Sequence, residues 1–249
     1  MNAALPDRRA LPARTILAFW TPLAATWLMM AVEGPYVAAI IARLPEPVVN
    51  LAAYGVAFSF AFIAEAPIIM MMTASNALVG DRQSFLALRR FMLVLNAVLT
   101  VVMAIGLLPP LFRFLTDRLI GLPPDIARRT NIATALLLFW PAAIGYRRFY
   151  QGILVRHKMP RRVAYGTVVR LATMSAAAAG LAWWTDLDGA YVGSLALAGG
   201  VVAEAVASRW MARAIVNQLQ AAPPAAPSAA GELSLREILR FYVPLALTS

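Results

Sequence analysis

Apolar residues run along this chain in six long blocks, separated by short polar segments, at about 16–42, 48–77, 91–108, 131–155, 163–185 and 189–212. A helix needs about 20 apolar residues to cross a hydrocarbon core of ~30 Å, so each block predicts a membrane span. The first is interrupted by "EGP" at 33–35, where the helix is expected to break. The second is long enough to need tilt or a kink, and Pro67 supplies a place to bend. The third holds eighteen uncharged residues and stops at Pro109-Pro110. The fourth carries Pro141, the fifth a buried Arg170 and the sixth a buried Glu204. Residues 109–130 read as an amphipathic connection between the third and fourth. The predicted fold class is therefore all-α: a polytopic membrane protein built as a six-transmembrane-helix bundle.

Composition strengthens that reading. The chain is 61% hydrophobic with a mean hydropathy of +0.70, and 14% of its residues are charged. A soluble domain carries roughly a quarter charged residues. There is no cysteine, which excludes disulfides, thiol catalysis and cysteine-based metal sites. The single histidine, His157, lies in the basic run "RHKMPRR" and reads as a solvated loop residue. No cofactor, metal site or enzymatic constellation is expected.

The net charge of +10 is distributed by topology, not as a nucleic-acid footprint. Fourteen basic residues gather at one set of segment ends, in 8–14, 82–90, 156–162 and 209–240. The opposite ends hold Arg43, Arg113, Arg118, Arg128 and Arg129, mixed with Asp117, Asp125, Asp186 and Asp188. The positive-inside rule places the N-terminus and the segment after span six in the cytoplasm, in a multi-pass arrangement in the cell (inner) membrane. Anionic lipids are the expected partners of the basic ends. The basic N-terminal stretch resembles a signal-peptide start, but the apolar run after it is long and lacks a small-residue cleavage site, so it reads as a retained span.

Two phrases recur. "ILAFWTPLAAT" at 16–26 returns as "ILRFYVPLALT" at 238–248. Between them, residues 219–233 form an Ala/Pro-rich linker. After an even number of spans, the second copy enters from the same side as the first, so the repeat is parallel. The expected organisation is a cytoplasmic N-terminal segment (1–15), a six-helix lobe (16–218), the linker (219–233) and the start of a second lobe (234–249). On that reading a second six-helix lobe is the missing partner.

The stretches "FWTPLA", "LAAYGVAFS", "DRQSFLALRRF" and "YQGILVRHK", closing with "REILRFYVPLAL", occur in an order that resembles the progressive ankylosis family of the multidrug/oligosaccharidyl-lipid/polysaccharide exporter superfamily. The resemblance runs from about residue 16 to the C-terminus. It implies twelve helices in two six-helix lobes working by alternating access, and export of small anions such as pyrophosphate, citrate and nucleotides. The chain departs from the pattern in lacking the second lobe and in the register of "EGP".

Ionisable residues inside spans cost several kcal/mol unless paired or wetted, so each is a functional candidate. Arg147 and Arg148 in the fourth block and Arg170 in the fifth are expected ~10–12 Å from the cytoplasmic end at 1.5 Å per residue. Arginine forks to phosphate or carboxylate, so these three are candidate anion ligands, with Tyr150 and Gln151 completing a polar lining. Tyr146 and Asn76 are weaker candidates. Structural alternatives are neutralisation of Arg170 by Glu204 and snorkelling of Arg147 or Arg148 to lipid phosphates. Consecutive residues point about 100° apart on a helix, so Arg147 and Arg148 cannot share one target. Glu33, Glu65 and Glu204 are the candidate ion-coupling residues. No basic residue is predicted at the level of Glu65, and an unpaired buried carboxylate takes up a proton, as a proton-coupled carrier requires. The glycines at 34, 145, 152, 166, 180, 199 and 200 are expected to permit close helix packing.

The expected function is secondary-active export of a small organic or phosphorylated anion. A lipid-linked saccharide flippase or cationic-drug exporter, and a non-transporting membrane scaffold, are the alternatives.

Overall fold

A computed structural model of the chain describes residues 13–221 and 233–247. The start of the N-terminal segment (1–12), most of the Ala/Pro linker (222–232), and Thr248 and Ser249 lie outside the described residues. No strand occurs among the described residues. The helices in chain order are α1 (Ala13–Ile41), α2 (Pro47–Glu65), α3 (Met71–Leu78), α4 (Arg82–Gly106), α5 (Pro109–Arg113), α6 (Pro124–Leu136), α7 (Trp140–Arg156), α8 (Pro160–Trp184), α9 (Gly189–Met211), α10 (Arg213–Ala221) and α11 (Leu235–Ala246). A 3-10 turn, Ala66–Ile68, joins α2 to α3, and a π-helical stretch, Phe114–Ile120, extends α5.

Local chemistry accounts for the boundaries. α4 starts where the Asp81 side chain accepts from the Ser84 N–H (2.8 Å) and the Ser84 hydroxyl accepts from the Asp81 N–H (3.0 Å). This reciprocal cap satisfies two backbone donors that a helix start leaves free. The Ser84 backbone N–H also holds the Asp81 carboxyl below its ordinary value, so the charged cap is kept at neutral pH and lost only as pH falls through that depressed value. Ser234 and Glu237 cap α11 in the same manner. α2, α5, α6, α7 and α8 each open with proline in the first turn, where its missing N–H is harmless. Gly121, at φ 75°, ends the π-helical stretch in the left-handed region.

Four helical segments are long and apolar enough to cross a membrane: Ile16–Ile41, Pro47–Leu78, Arg82–Gly106 and Gly189–Met211. The other two expected blocks differ for visible reasons. α8 matches α4 in length at 25 residues, but Arg170 interrupts its apolar stretch, whereas Arg82, Arg89 and Arg90 of α4 all lie in its first nine residues. The fourth block is two helices of 13 and 17 residues, because the chain turns at 137–139 and Pro141 falls in the first turn of α7 instead of inside a continuous helix.

The bend at Pro67 is present as expected. The break at 33–35 is not: α1 continues through Gly34 and Pro35 to Ile41. A proline forfeits one backbone hydrogen bond, which packing on both sides can offset. Here Glu33 is tied to Arg170 just before the proline, and Val37 and Ile41 are buried just after it.

α9 is the centre of the bundle, packing against α8, α7, α6, α2 and α1. Its small residues make this possible. A Cβ at Gly193 would lie 2.7 Å from Ile41 Cδ1, and one at Gly200 would lie 3.0 Å from the Arg170 carbonyl oxygen. α7 approaches α3 closely at Gly152, where a Cβ would collide with Ser75 Oγ and the Met72 carbonyl oxygen. Gly34 and Gly199, expected to serve the same purpose, face open space.

Arginines close the helix ends. Arg156 donates to the Asn76 and Ala77 carbonyls at the end of α3, and Arg162 to the Met211 carbonyl at the end of α9. At the opposite end of the bundle, Arg129 on α6 reaches Glu46, Asn50 (3.1 Å) and Asp188 (3.4 Å), joining the α1–α2 and α8–α9 connections.

α11 is helical, as the repeated phrase predicts, but its packing does not repeat that of α1. Ile16 and Trp20 are 52% and 61% exposed, whereas their counterparts Ile238 and Tyr242 are 2% and 3% exposed. Tyr242 donates to the Pro67 carbonyl (2.7 Å) and meets Phe91 edge-on, so α11 is seated at the bend between α2 and α3.

Gly152→Ala is expected to destabilise the fold by about 3 kcal/mol, because both colliding atoms belong to the tight α3–α7 contact. Asp81→Ala should cost only about 1 kcal/mol, the usual effect of losing a helix cap. Denaturation of the detergent-solubilised protein checks the order; equal losses would contradict this packing.

Candidate functional site

Six charged side chains are buried among the described residues: Glu33, Glu65, Arg147, Arg148, Arg170 and Glu204. They come from α1, α2, α7, α8 and α9, and they lie close together. Isolated buried charges cost several kcal/mol each, so the arrangement that neutralises them decides whether these helices can pack.

Glu204 is the hub. Its Oε2 accepts from Arg147 Nη1 and lies 3.6 Å from Arg170 Nη1. Its Oε1 accepts from Gln151 Nε2 (3.0 Å) and Thr167 Oγ1 (3.2 Å). Gln151 lies four residues after Arg147, which puts both on one face of α7. Thr167 lies three before Arg170 on α8 by the same logic. Gly166 leaves room for this carboxylate: a Cβ there would stand 3.4 Å from Glu204 Cγ.

Arg170 is held chiefly by Glu33. Its Nε donates to Glu33 Oε1 (2.7 Å) and its Nη2 to Oε2, a two-pronged fork between α8 and α1. Arg170 is thus shared between Glu33 and Glu204 instead of belonging to Glu204 alone. Trp140 extends the network: its Nε1 donates to Glu65 Oε2 (2.8 Å), while its ring lies 5.5 Å from the Arg170 guanidinium. Among the described residues Glu65 therefore has a neutral donor and no arginine at ion-pair distance.

Arg148 is the exception among the cations. It is 6% exposed, and no carboxylate pairs with it among the described residues. Its guanidinium lies 5.9 Å from the Trp27 ring centre and 4.0 Å from Met72 Sδ. Neither Arg147 nor Arg148 snorkels; both point inward, toward different neighbours, as their offset on the helix requires.

Among the described residues, Arg147 Nε and Nη2 and Arg148 Nε have no hydrogen-bond partner. Beside them lies a cavity of about 20 Å³, walled by Leu23, Thr26, Trp27 and Met30 of α1 and by Arg147, Arg148, Gln151 and Glu204. That is room for about one water.

Tyr150 does not join this group. It packs against Tyr146, Phe149 and Arg209, whose guanidinium lies 5.3 Å from its ring. Asn76 is exposed and contributes only its carbonyl, to Arg156. Trp27, Met72, Trp140 and Thr167 belong to the site without having been singled out. Trp140 carried a signal, because a buried indole N–H needs an acceptor and Glu65 was the acid without a partner.

Comparison with protein-family models, with curated proteins and with solved structures gives no match to this chain.

Removing one partner of a buried pair leaves an uncompensated charge. Glu204→Ala is expected to destabilise by about 3–5 kcal/mol. The double variant Arg147→Met/Glu204→Met should be less destabilised than either single change, and thermal unfolding of the four proteins measures the coupling. Additive losses would contradict the pairing.

Proposed function

We propose that this chain is one six-helix lobe of a secondary transporter of the progressive ankylosis type, moving a small organic or phosphorylated anion by alternating access. Its six spans would be α1, α2–α3, α4, α6–α7, α8 and α9, with the N-terminus in the cytoplasm and the arginine-closed ends facing it. α11 would begin a second lobe. The observation that carries the proposal is Arg148: a buried guanidinium with no carboxylate partner among the described residues, beside unsatisfied donors of Arg147 at a small cavity.

The chemistry follows from the geometry. A phosphate or carboxylate entering beside Arg148 would supply the missing acceptor and find free N–H groups on Arg147. Glu204 already occupies the other prong of Arg147, so an incoming anion competes with it. The cavity is too small for such an anion, and α1 forms one wall, so binding requires α1 to move outward from α7. Glu65, which among the described residues is bonded through Trp140 and to no arginine, is the candidate coupling acid. A second reading, a non-transporting scaffold, is favoured by one fact: Arg147 and Arg170 each already have a carboxylate partner, in Glu204 and Glu33.

In proteoliposomes of the protein containing this lobe, Arg148→Gln is expected to lower flux of pyrophosphate or citrate by about tenfold or more, the effect of about 1.4 kcal/mol. Arg148→Lys should restore little, because an ammonium cannot fork. Undiminished flux in folded Arg148→Gln protein would reject the role.

The absence of native cysteine makes the orientation directly measurable. Lys158→Cys should react with an impermeant maleimide only from the cytoplasmic side and Asp186→Cys only from the other. Labelling of both from one side would reject the six-span arrangement.

A further inference from the structure

A second site lies away from the buried charges, where α2, α4, α5, the π-helical stretch and α6 meet. An apolar chamber of about 270 Å³ is walled by residues that include Phe60, Ile63, Leu99, Met103 and Phe112. Its one polar wall residue, Thr134, already donates to the Thr130 carbonyl (2.7 Å). The chamber is close to the lower end of small-molecule sites (~300 Å³). Phe112 also lines a second chamber of about 730 Å³, whose walls carry Arg113, Arg128, Asn131 and Asp117. The two chambers thus share a wall: one holds no charge, and the other presents two cations and one anion.

Arg113 and Arg128 form no ion pair among the described residues, whereas their neighbour Arg129 has two. Asp117 accepts from the Thr116 hydroxyl (2.9 Å), which engages part of the only carboxylate there. The charged chamber therefore keeps a positive excess next to an apolar slot. A free phosphate or sugar phosphate would use the first and leave the second empty. A hydrocarbon would do the reverse.

The geometry points to a phospholipid-binding site, with an acyl chain in the apolar chamber and the phosphate held by Arg113 and Arg128. The location agrees with the charge pattern: the arginine chamber lies on the α5–α6 connection, and the apolar chamber runs from there along α4 toward the bend at Pro67. The inference rests on reading the chain as a membrane protein, but not on its transporting anything.

Gly106 offers a clean test. It lines the apolar chamber at the end of α4, and a Cβ added there meets nothing within 4 Å. Gly106→Leu should fill the chamber without disturbing the fold. Full-length protein in mild detergent would be delipidated and offered phosphatidylglycerol or a neutral diacylglycerol of the same chains, with bound lipid counted by native mass spectrometry. The wild type is expected to retain phosphatidylglycerol about tenfold better than the diglyceride. Gly106→Leu should lose both, and Arg113→Gln/Arg128→Gln should bind the two lipids equally. Retention of phosphatidylglycerol by Gly106→Leu, a preference that survives loss of both arginines, or no preference in the wild type would each overturn the site. Alkaline carbonate extraction of wild-type membranes separates the failures: release of the protein refutes the membrane reading, while retention without lipid preference refutes this site alone.

Discussion

Glu204 receives Arg147, Gln151 and Thr167 while standing within reach of Arg170, and the packing of α7, α8 and α9 depends on that convergence. Charges this deep are costly unless paired or hydrogen-bonded, and here Glu204 and Glu33 answer Arg147 and Arg170. The demand propagates outward. Arg170 needs a second carboxylate, which fixes α1 through Glu33. Trp140 spans from the Arg170 guanidinium to Glu65, which ties in the end of α2. Small residues then become necessary wherever the backbones must close around the network: Gly166 beside Glu204, Gly200 against the Arg170 carbonyl, Gly152 against α3.

Much of this was legible in the sequence, for specific reasons. Charges within apolar blocks stand out, and all six buried ones could be picked out individually. The pairing could not. The Glu33–Arg170 pair could not be read because position along a helix says nothing of which neighbour a side chain faces, and the two lie 137 residues apart. The expected break at 33–35 failed for a related reason: proline disfavours a helix locally, but contacts on either side kept this one continuous. Tyr150 was grouped with Gln151 by adjacency, whereas one residue on a helix is about 100° of rotation and a different neighbourhood. The division of the fourth block at 137–139 is set by how α6 and α7 pack, and apolar periodicity does not register it.

The repeated phrase illustrates the same limit. Both copies are helical, yet α1 exposes Ile16 and Trp20 while α11 buries Ile238 and Tyr242 against the bend at Pro67. Matching residues specify matching helices, and the surroundings decide which face is covered. In the proposed transporter, α11 would connect a second lobe to the point where α2 and α3 bend, so movement there would be felt in the first lobe.

The central claim is that Arg148 awaits an anion, and Trp27, packed beside its guanidinium, is positioned to report it. Titration of the folded protein with pyrophosphate or citrate should give a saturable change in tryptophan fluorescence that Trp27→Phe and Arg148→Gln each abolish. A signal unchanged by either anion in the wild type, or one that persists in Arg148→Gln, would contradict the account and leave the buried network as structural charge pairing.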